Sequence, residues 1–194
     1  MNALAKLTLP LLTEESVDDP AARTAMESTR KSLGFVPNLY ANMANSPGVL
    51  DTYLTGYKHF RTSSGFTPVE QEVVFLTISR QNGCAYCMAA HSLVGERMSG
   101  LSAPVLEALR DGKPLEDARL QALSSFTCAL LSRRGRPLKD ELQTFLVAGF
   151  SERHVLEILL AISVKTISNY TNHLFDTEVD EAFGPYNWQP MIAA

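Results

Sequence analysis

Apolar residues recur at three- and four-residue spacing along almost the whole chain, and no stretch alternates apolar and polar residues with the period of a strand. The pattern predicts an all-α protein. Asp19 is placed to cap a first helix, with Pro20 in its first turn and Gly34 as its stop. Pro37 and Pro47 start two short helical pieces. Val49, Leu50, Tyr53, Leu54 and Tyr57 then share one face, and Ser63, Ser64 and Gly65 make a turn. The next start is marked most fully: Thr67 as N-cap, Pro68 as first helical residue and Glu70 as third form a capping box, and Gly83 ends the helix. Further helices are predicted near 84–98, 103–110, 115–133, 138–147 and 152–175. The tail "GPYNWQPMIAA" carries two prolines and reads as an irregular arm. Its Tyr186 and Trp188 suit either docking, for example on another subunit, or a plain surface tail.

One helix pattern recurs. "GFTPVEQEVVFLTISRQNGCAYC" from Gly65 lies without gaps on "GFSERHVLEILLAISVKTISNYT" from Gly149, with Gly-Phe, a hydroxyl cap, Leu-x-Ile-Ser and a tyrosine in common. Ser168 and Thr171 stand where Cys84 and Cys87 stand. Two explanations are open: a duplicated helical hairpin whose second copy lost its sulfurs, or two amphipathic helices alike by chance. The 194 residues, 45% of them hydrophobic, fit one domain over 1–194, with a dithiol core at 66–98 and a candidate degenerate repeat at 149–175.

Charge narrows the function classes. A net charge of −4 and a pI near 5.6 supply no field for nucleic acid or an anionic membrane, and Lys and Arg form no basic run. The N-terminal stretch lacks the layout of a signal peptide, and no apolar run reaches membrane-spanning length. These features predict a soluble, cytoplasmic protein. In a reducing compartment a close cysteine pair points to catalysis or metal binding rather than to a structural disulfide.

Glu72, Cys84, Cys87 and His91 are therefore the residues to weigh. Cys84, Cys87 and His91 are spaced three and four apart, on one stripe of one helix. Cys84 falls at the helix start, where free N–H groups and the positive dipole end favour a thiolate. His91 lies one turn beyond Cys87, in place to move a proton. Glu72 sits on or beside the apolar face of the preceding helix, where a carboxylate needs a partner, and His91 is a natural one. The spacing suggests a relay in which Glu72 orients His91, His91 activates Cys87 and Cys84 closes a disulfide. The plainer alternatives are two buried thiols with a capping histidine, and Glu72 solvated beside Glu70. Zinc is a further alternative, but Cys84 and His91 are two turns apart, roughly 10 Å along the axis, which strains a tetrahedral site. Met88 after Cys87 argues against haem attachment. Cys128 reads as core, His59 and His154 as surface. Asn172 and His173 could reach the site from the last long helix or simply end it.

Glu, eleven residues, Cys-x-x-Cys, three residues, His resembles the signature of the alkylhydroperoxidase D-like, carboxymuconolactone decarboxylase-like superfamily. "SLGFVPNLYANMANSPGVLDTYL" and "SNYTNHLFDTEVDEAF" resemble the N-terminal region and the last helix and tail of its peroxidase-related branch. The resemblance implies an all-helical fold built from a duplicated hairpin unit and a homo-oligomer, trimer or hexamer. It implies an oxidoreductase that reduces hydroperoxides, with Cys87 peroxidatic, Cys84 resolving, and His91 and Glu72 as proton relay. It requires no cofactor and implies a lipoyl-type or thioredoxin-like dithiol reductant as partner. Classical decarboxylase members lack the dithiol, so its presence favours thiol redox chemistry. A redox sensor without rapid turnover is the other reading of the same residues.

Overall fold

The computed structural model describes residues 4–190; the last four residues of the proline-containing tail lie outside them. Nine α-helices follow one another among the described residues: α1 Pro20–Leu33, α2 Asn38–Met43, α3 Pro47–Ser63, α4 Pro68–Gln81, α5 Ala85–Arg97, α6 Ala103–Asp111, α7 Ala118–Ser132, α8 Lys139–Val147 and α9 Glu152–Phe175. A 3₁₀ turn, Glu181–Tyr186, closes the series. No strand occurs among the described residues, as the helical periodicity predicts, and none of their helices is long and apolar enough to cross a membrane.

The caps explain the boundaries. The Asp19 carboxylate accepts from Ala22 N at 2.8 Å at the start of α1, and Gly34 ends it in the left-handed region, φ +86°. Thr67 and Glu70 form the expected capping box on α4. Asp117, rather than Leu115, begins α7 by accepting from Arg119 N and Leu120 N. Pro47 opens a 17-residue helix where a short piece is predicted, because the apolar face through Tyr53, Leu54 and Tyr57 continues the same turn without a break.

α4 is the centre of the molecule. Every residue from Glu70 to Ser79 is buried, and α5, α6, α7 and α9 pack around it. A helix buried on all sides belongs in the middle of a bundle, and its buried polar residues must find partners there. On one side Phe75, Phe126, Phe145 and Phe150 anchor a large core with α7 and α8. On the other, α1, α2 and α3 pack against α5 in a second core that contains Cys84 and Cys87.

The matching segments 65–87 and 149–171 begin alike. Gly65 and Gly149 take positive φ, and both helices open on capping boxes, at Thr67 and Ser151. They then diverge. Gly83, φ +68°, breaks the first copy into α4 and α5, whereas Ile167 stands at that place in the second and α9 runs on unbroken.

α3 and α9 cross closely at Gly56, where a Cβ would lie 2.7 Å from Val164 Cγ2. Valine in a helix has little χ1 freedom with which to yield. Gly56→Ala should therefore lose more to overpacking, about 1–3 kcal/mol, than the roughly 1 kcal/mol it gains in helix propensity. A lowered urea midpoint with an unchanged slope is the expected result.

Two expectations need correction. Cys128 is half-buried, not core: its Sγ accepts from Gln81 Nε2 at the end of α4 at 3.0 Å and lines a separate cavity of about 630 Å³ between α4 and α7. The described tail is not a plain surface tail: it docks, on its own chain. Trp188 Nε1 donates to Arg110 O at 3.0 Å, Arg110 Nη1 and Nη2 donate to the carbonyls of Tyr186 and Asn187, and Phe183 packs edge-on against Tyr86.

Candidate active site

Gly83 turns the chain so that Cys84 N donates to Ser79 O at 2.9 Å, which sets Cys84 as the N-cap of α5. Cys87 then falls in the first turn, and His91 one turn further, against α4. Both cysteines are free thiols and both are buried. Glu72 reaches across from α4, fully buried. Its Oε2 meets His91 Nδ1 at 2.9 Å, and its Oε1 pairs with Arg61 Nη1 from α3. The structure thus brings together the four residues the spacing selects. No hydrogen bond joins His91 to Cys87, however; the two share a cavity instead.

The electrostatics reassign one expectation. The thiolate-favouring position is Cys87, not Cys84. Burial alone would raise the Cys87 thiol, but a hydrogen bond from Cys84 and the charge of Lys165 draw it well below the ordinary 9.0. Cys84 moves the other way, raised by its hydrogen bond to Cys87 and by burial. Glu72 is held below its ordinary 4.5: desolvation opposes ionisation, but His91 and Arg61 outweigh it. Burial and the neighbouring Lys165 lower His91 below 6.5 against the pull of Glu72. The neutral imidazole donates its Nδ1 proton to the carboxylate, which leaves Nε2 a bare acceptor.

These shifts fix a pH dependence. Glu72, with a lowered native pKa, contributes stability that is present above about pH 4.5 and lost as pH falls through its native value. His91, also lowered, must be protonated in the unfolded chain first, so stability falls as pH drops below 6.5 toward its native value. Cys87 acts in the same direction. Urea unfolding at pH 7.5, 6, 5, 4 and 3 should show a continuous fall in midpoint; a midpoint that stays flat below about pH 4.5 would contradict the buried ionised Glu72.

Four residues that the spacing does not select complete the site. Arg61 Nη2 donates to Tyr57 OH at 2.8 Å while its Nη1 holds Glu72. From α9, Asn172 Nδ2 donates to Cys87 Sγ at 3.3 Å and to Cys84 Sγ at 3.6 Å, and Ser168 Oγ lies 3.8 Å from Cys87 Sγ. Lys165, one turn before Ser168, is buried with them. Asn172 therefore reaches the site, whereas His173 is exposed and does not. Lys165, Ser168, Asn169 and Asn172 form a buried polar stripe at helical spacing, a legible signal that something polar faces them.

A cavity of about 820 Å³ opens onto Cys87, His91 and Lys165. Its walls are aromatic and aliphatic, chiefly Tyr40, Tyr53, Tyr57, Phe35 and Leu54. Cys87 lines it; Cys84 lies behind. Among the described residues no three His, Cys, Asp or Glu side chains are grouped to hold a metal ion.

No family model matches the chain, and no curated protein matches it in sequence. Solved structures do. A peroxidase-related protein from Ralstonia eutropha JMP134, described as an alkylhydroperoxidase AhpD core, superposes with TM-score 0.80 at 18% identity, covering 90% of this chain and 93% of that one. The chain has an alkylhydroperoxidase D-like fold. A peroxidase-related protein from Silicibacter sp. TM1040 shares this alkylhydroperoxidase D-like architecture, with TM-score 0.74, 22% identity and coverage of 92% and 93%. So does the debrominase Bmp8 in complex with 2,3,4-tribromopyrrole, with TM-score 0.70, 18% identity and coverage of 96% of both chains.

Proposed function

We propose that this protein is a thiol-dependent peroxidase that reduces bulky organic hydroperoxides. The observation that carries the reading is a buried dithiol whose cavity-facing member, Cys87, is the one favoured as thiolate. Cys87 attacks the outer peroxide oxygen and becomes a sulfenic acid as alcohol leaves. Cys84 then condenses with it, releasing water and forming the disulfide. His91, held by Glu72, accepts protons through Nε2. The wide aromatic walls suit an organic substituent better than hydrogen peroxide. Both sulfurs are buried, so a slender dithiol such as a lipoyl arm reaches them more readily than a folded thioredoxin-like surface. Leu156, Leu159, Tyr170 and Leu174 are exposed along α9 and suit a homo-oligomeric contact.

The test adds slightly less than one equivalent of cumene hydroperoxide to reduced protein and maps cysteine states over time by mass spectrometry. Rapid formation of a Cys84–Cys87 bridge is expected; unchanged thiols would overturn the reading.

The aromatic cavity favours a second reading, reductive dehalogenation, the activity named for Bmp8. Two thiols and a brominated aromatic would yield the disulfide, hydrogen bromide and the debrominated ring. Bromide release from 2,3,4-tribromopyrrole, at a rate exceeding hydroperoxide reduction, would favour it.

A further inference from the structure

Lys165 is 1% exposed, and its Nζ has no hydrogen-bond partner. An ammonium in that setting is costly unless an opposite charge stands nearby. Its neighbours are the face of Phe75, 5.5 Å away, and the cavity shared with Cys87 and His91. Its backbone carbonyl accepts from Ser168 Oγ, itself 3.8 Å from Cys87 Sγ, so α9 delivers the lysine beside the reactive sulfur. The Cys87 thiolate supplies the missing counter-charge, and the lysine in turn draws that thiol down.

We infer that Lys165 is a catalytic residue: it pairs with the Cys87 thiolate and then protonates the alkoxide that leaves when an organic hydroperoxide is reduced. The inference rests on the peroxidase reading and adds to it a proton donor outside the Glu-Cys-Cys-His pattern.

The other groups facing this space are spoken for. The His91 Nδ1 proton is held by Glu72, and its Nε2 is bare. Arg61 is engaged by Glu72 and Tyr57. The phenol of Tyr86 donates to Asp180. Tyr40, Tyr53 and Tyr57 are raised by burial, which makes them poor acids. Cys84 donates toward Cys87 from behind the cavity wall. That leaves the unpartnered ammonium of Lys165.

The balance closes over one cycle. The Cys87 thiolate forms an S–O bond as the O–O bond breaks; sulfur is oxidised to sulfenic acid and the peroxide is reduced to alkoxide. Negative charge thereby moves from sulfur to the alkoxide. Lys165 gives its proton to the alkoxide, the stronger base of the two, yielding alcohol. The Cys84 thiol proton leaves with the sulfenic hydroxyl as water when the disulfide forms. The external dithiol restores two thiols, and the Cys87 thiol returns its proton to Lys165, which regenerates the ion pair.

The test uses Lys165→Met and Lys165→Arg with two readouts. The first is the pH profile of Cys87 alkylation by iodoacetamide, in a Cys84→Ser, Cys128→Ser background. Its groups besides Lys165 are His91 on α5, Glu72 on α4, and Tyr40, Tyr53, Tyr57 and Arg61 from α2 and α3. Lys165→Met should raise the midpoint by about one pH unit or more, and Lys165→Arg should restore it. The second readout is the rate of Cys87 oxidation, in the otherwise intact dithiol protein, by cumene hydroperoxide, a poor leaving group, and by peracetic acid, a good one. Lys165→Met should lose about 10²-fold more with the hydroperoxide than with the peracid, the scale of a general acid. Lys165→Arg should keep the hydroperoxide defect, because a guanidinium does not give up its proton. An unmoved alkylation profile, or equal losses with both oxidants, would overturn the inference. If the Met variant fails to fold, Lys165→Arg reacting with cumene hydroperoxide as fast as wild type overturns it alone. A wild-type protein inert to both oxidants would sink the peroxidase reading instead, and the alkylation profile would still judge the ion pair.

Discussion

Cys87→Ser is expected to abolish hydroperoxide-dependent thiol loss, by at least about 10³-fold, the scale of removing a nucleophile. Cys84→Ser should behave differently: the first oxidation persists, and a sulfenic acid accumulates on Cys87 that dimedone traps. The asymmetry follows from position. Cys87 lines the cavity and is drawn toward the thiolate by a hydrogen bond and the cationic Lys165, while Cys84 lies behind it with its thiol raised. Asn172 Nδ2 contacts both sulfurs, so it can hold them in place for closure of the bridge. Serine keeps a donor at the Cys84 position, so the first step in Cys84→Ser should persist at pH 7. Stopped-flow mixing with mass spectrometry at several pH values separates the two variants. Equal loss in both would mean that the sulfurs act as an interchangeable pair and that the cavity does not choose between them.

The sequence makes some parts of this arrangement plain and leaves others hidden, for physical reasons. Local chemistry was legible. Thr67 and Glu70 announce their helix, Gly83 announces the break that turns α4 into α5, and the Glu72, Cys84, Cys87 and His91 spacing follows directly from that break. The last long helix could be offered, through Asn172, as one that reaches the dithiol, but the sequence could not decide it. Lys165 lies far from the motif in sequence, and Arg61, only eleven residues before Glu72, sits on the preceding helix; α3 and α9, which carry them, cross closely at Gly56 and Val164. The polar stripe on α9 hinted at a polar environment without saying which helix would provide it. Cys128 was misplaced because an apolar neighbourhood in sequence says nothing about which side of α7 meets the core. Docking of the tail was legible as one alternative, but its anchor, the Arg110 guanidinium and carbonyl, lies on a helix whose approach only the tertiary structure fixes.

Glu72→Gln should impair both stability and rate, and the two losses have separate causes. The fully buried carboxylate is shared by Arg61 and His91. Removing its charge leaves the Arg61 guanidinium without its ion pair. Breaking such a pair from one side costs about 3 kcal/mol, the low end of the usual scale, because Arg61 retains Tyr57 and Gln71 and is 18% exposed. Arg61→Met combined with Glu72→Gln should be less destabilised than the sum of the single variants, since the orphaned charge is then gone. The rate should fall by about 10²-fold for a different reason. A neutral amide no longer fixes the His91 tautomer, so Nε2 ceases to be reliably bare, and this part of the defect should persist in the double variant. Denaturation and single-turnover oxidation on the same four proteins distinguish the effects. The acid limb of the stability profile supplies an independent check. In Glu72→Gln it should flatten, because the group whose protonation destabilises the native state below about pH 4.5 is missing. If the limb keeps its full slope, Glu72 is not ionised in the folded protein, and the relay through His91 has no anchor.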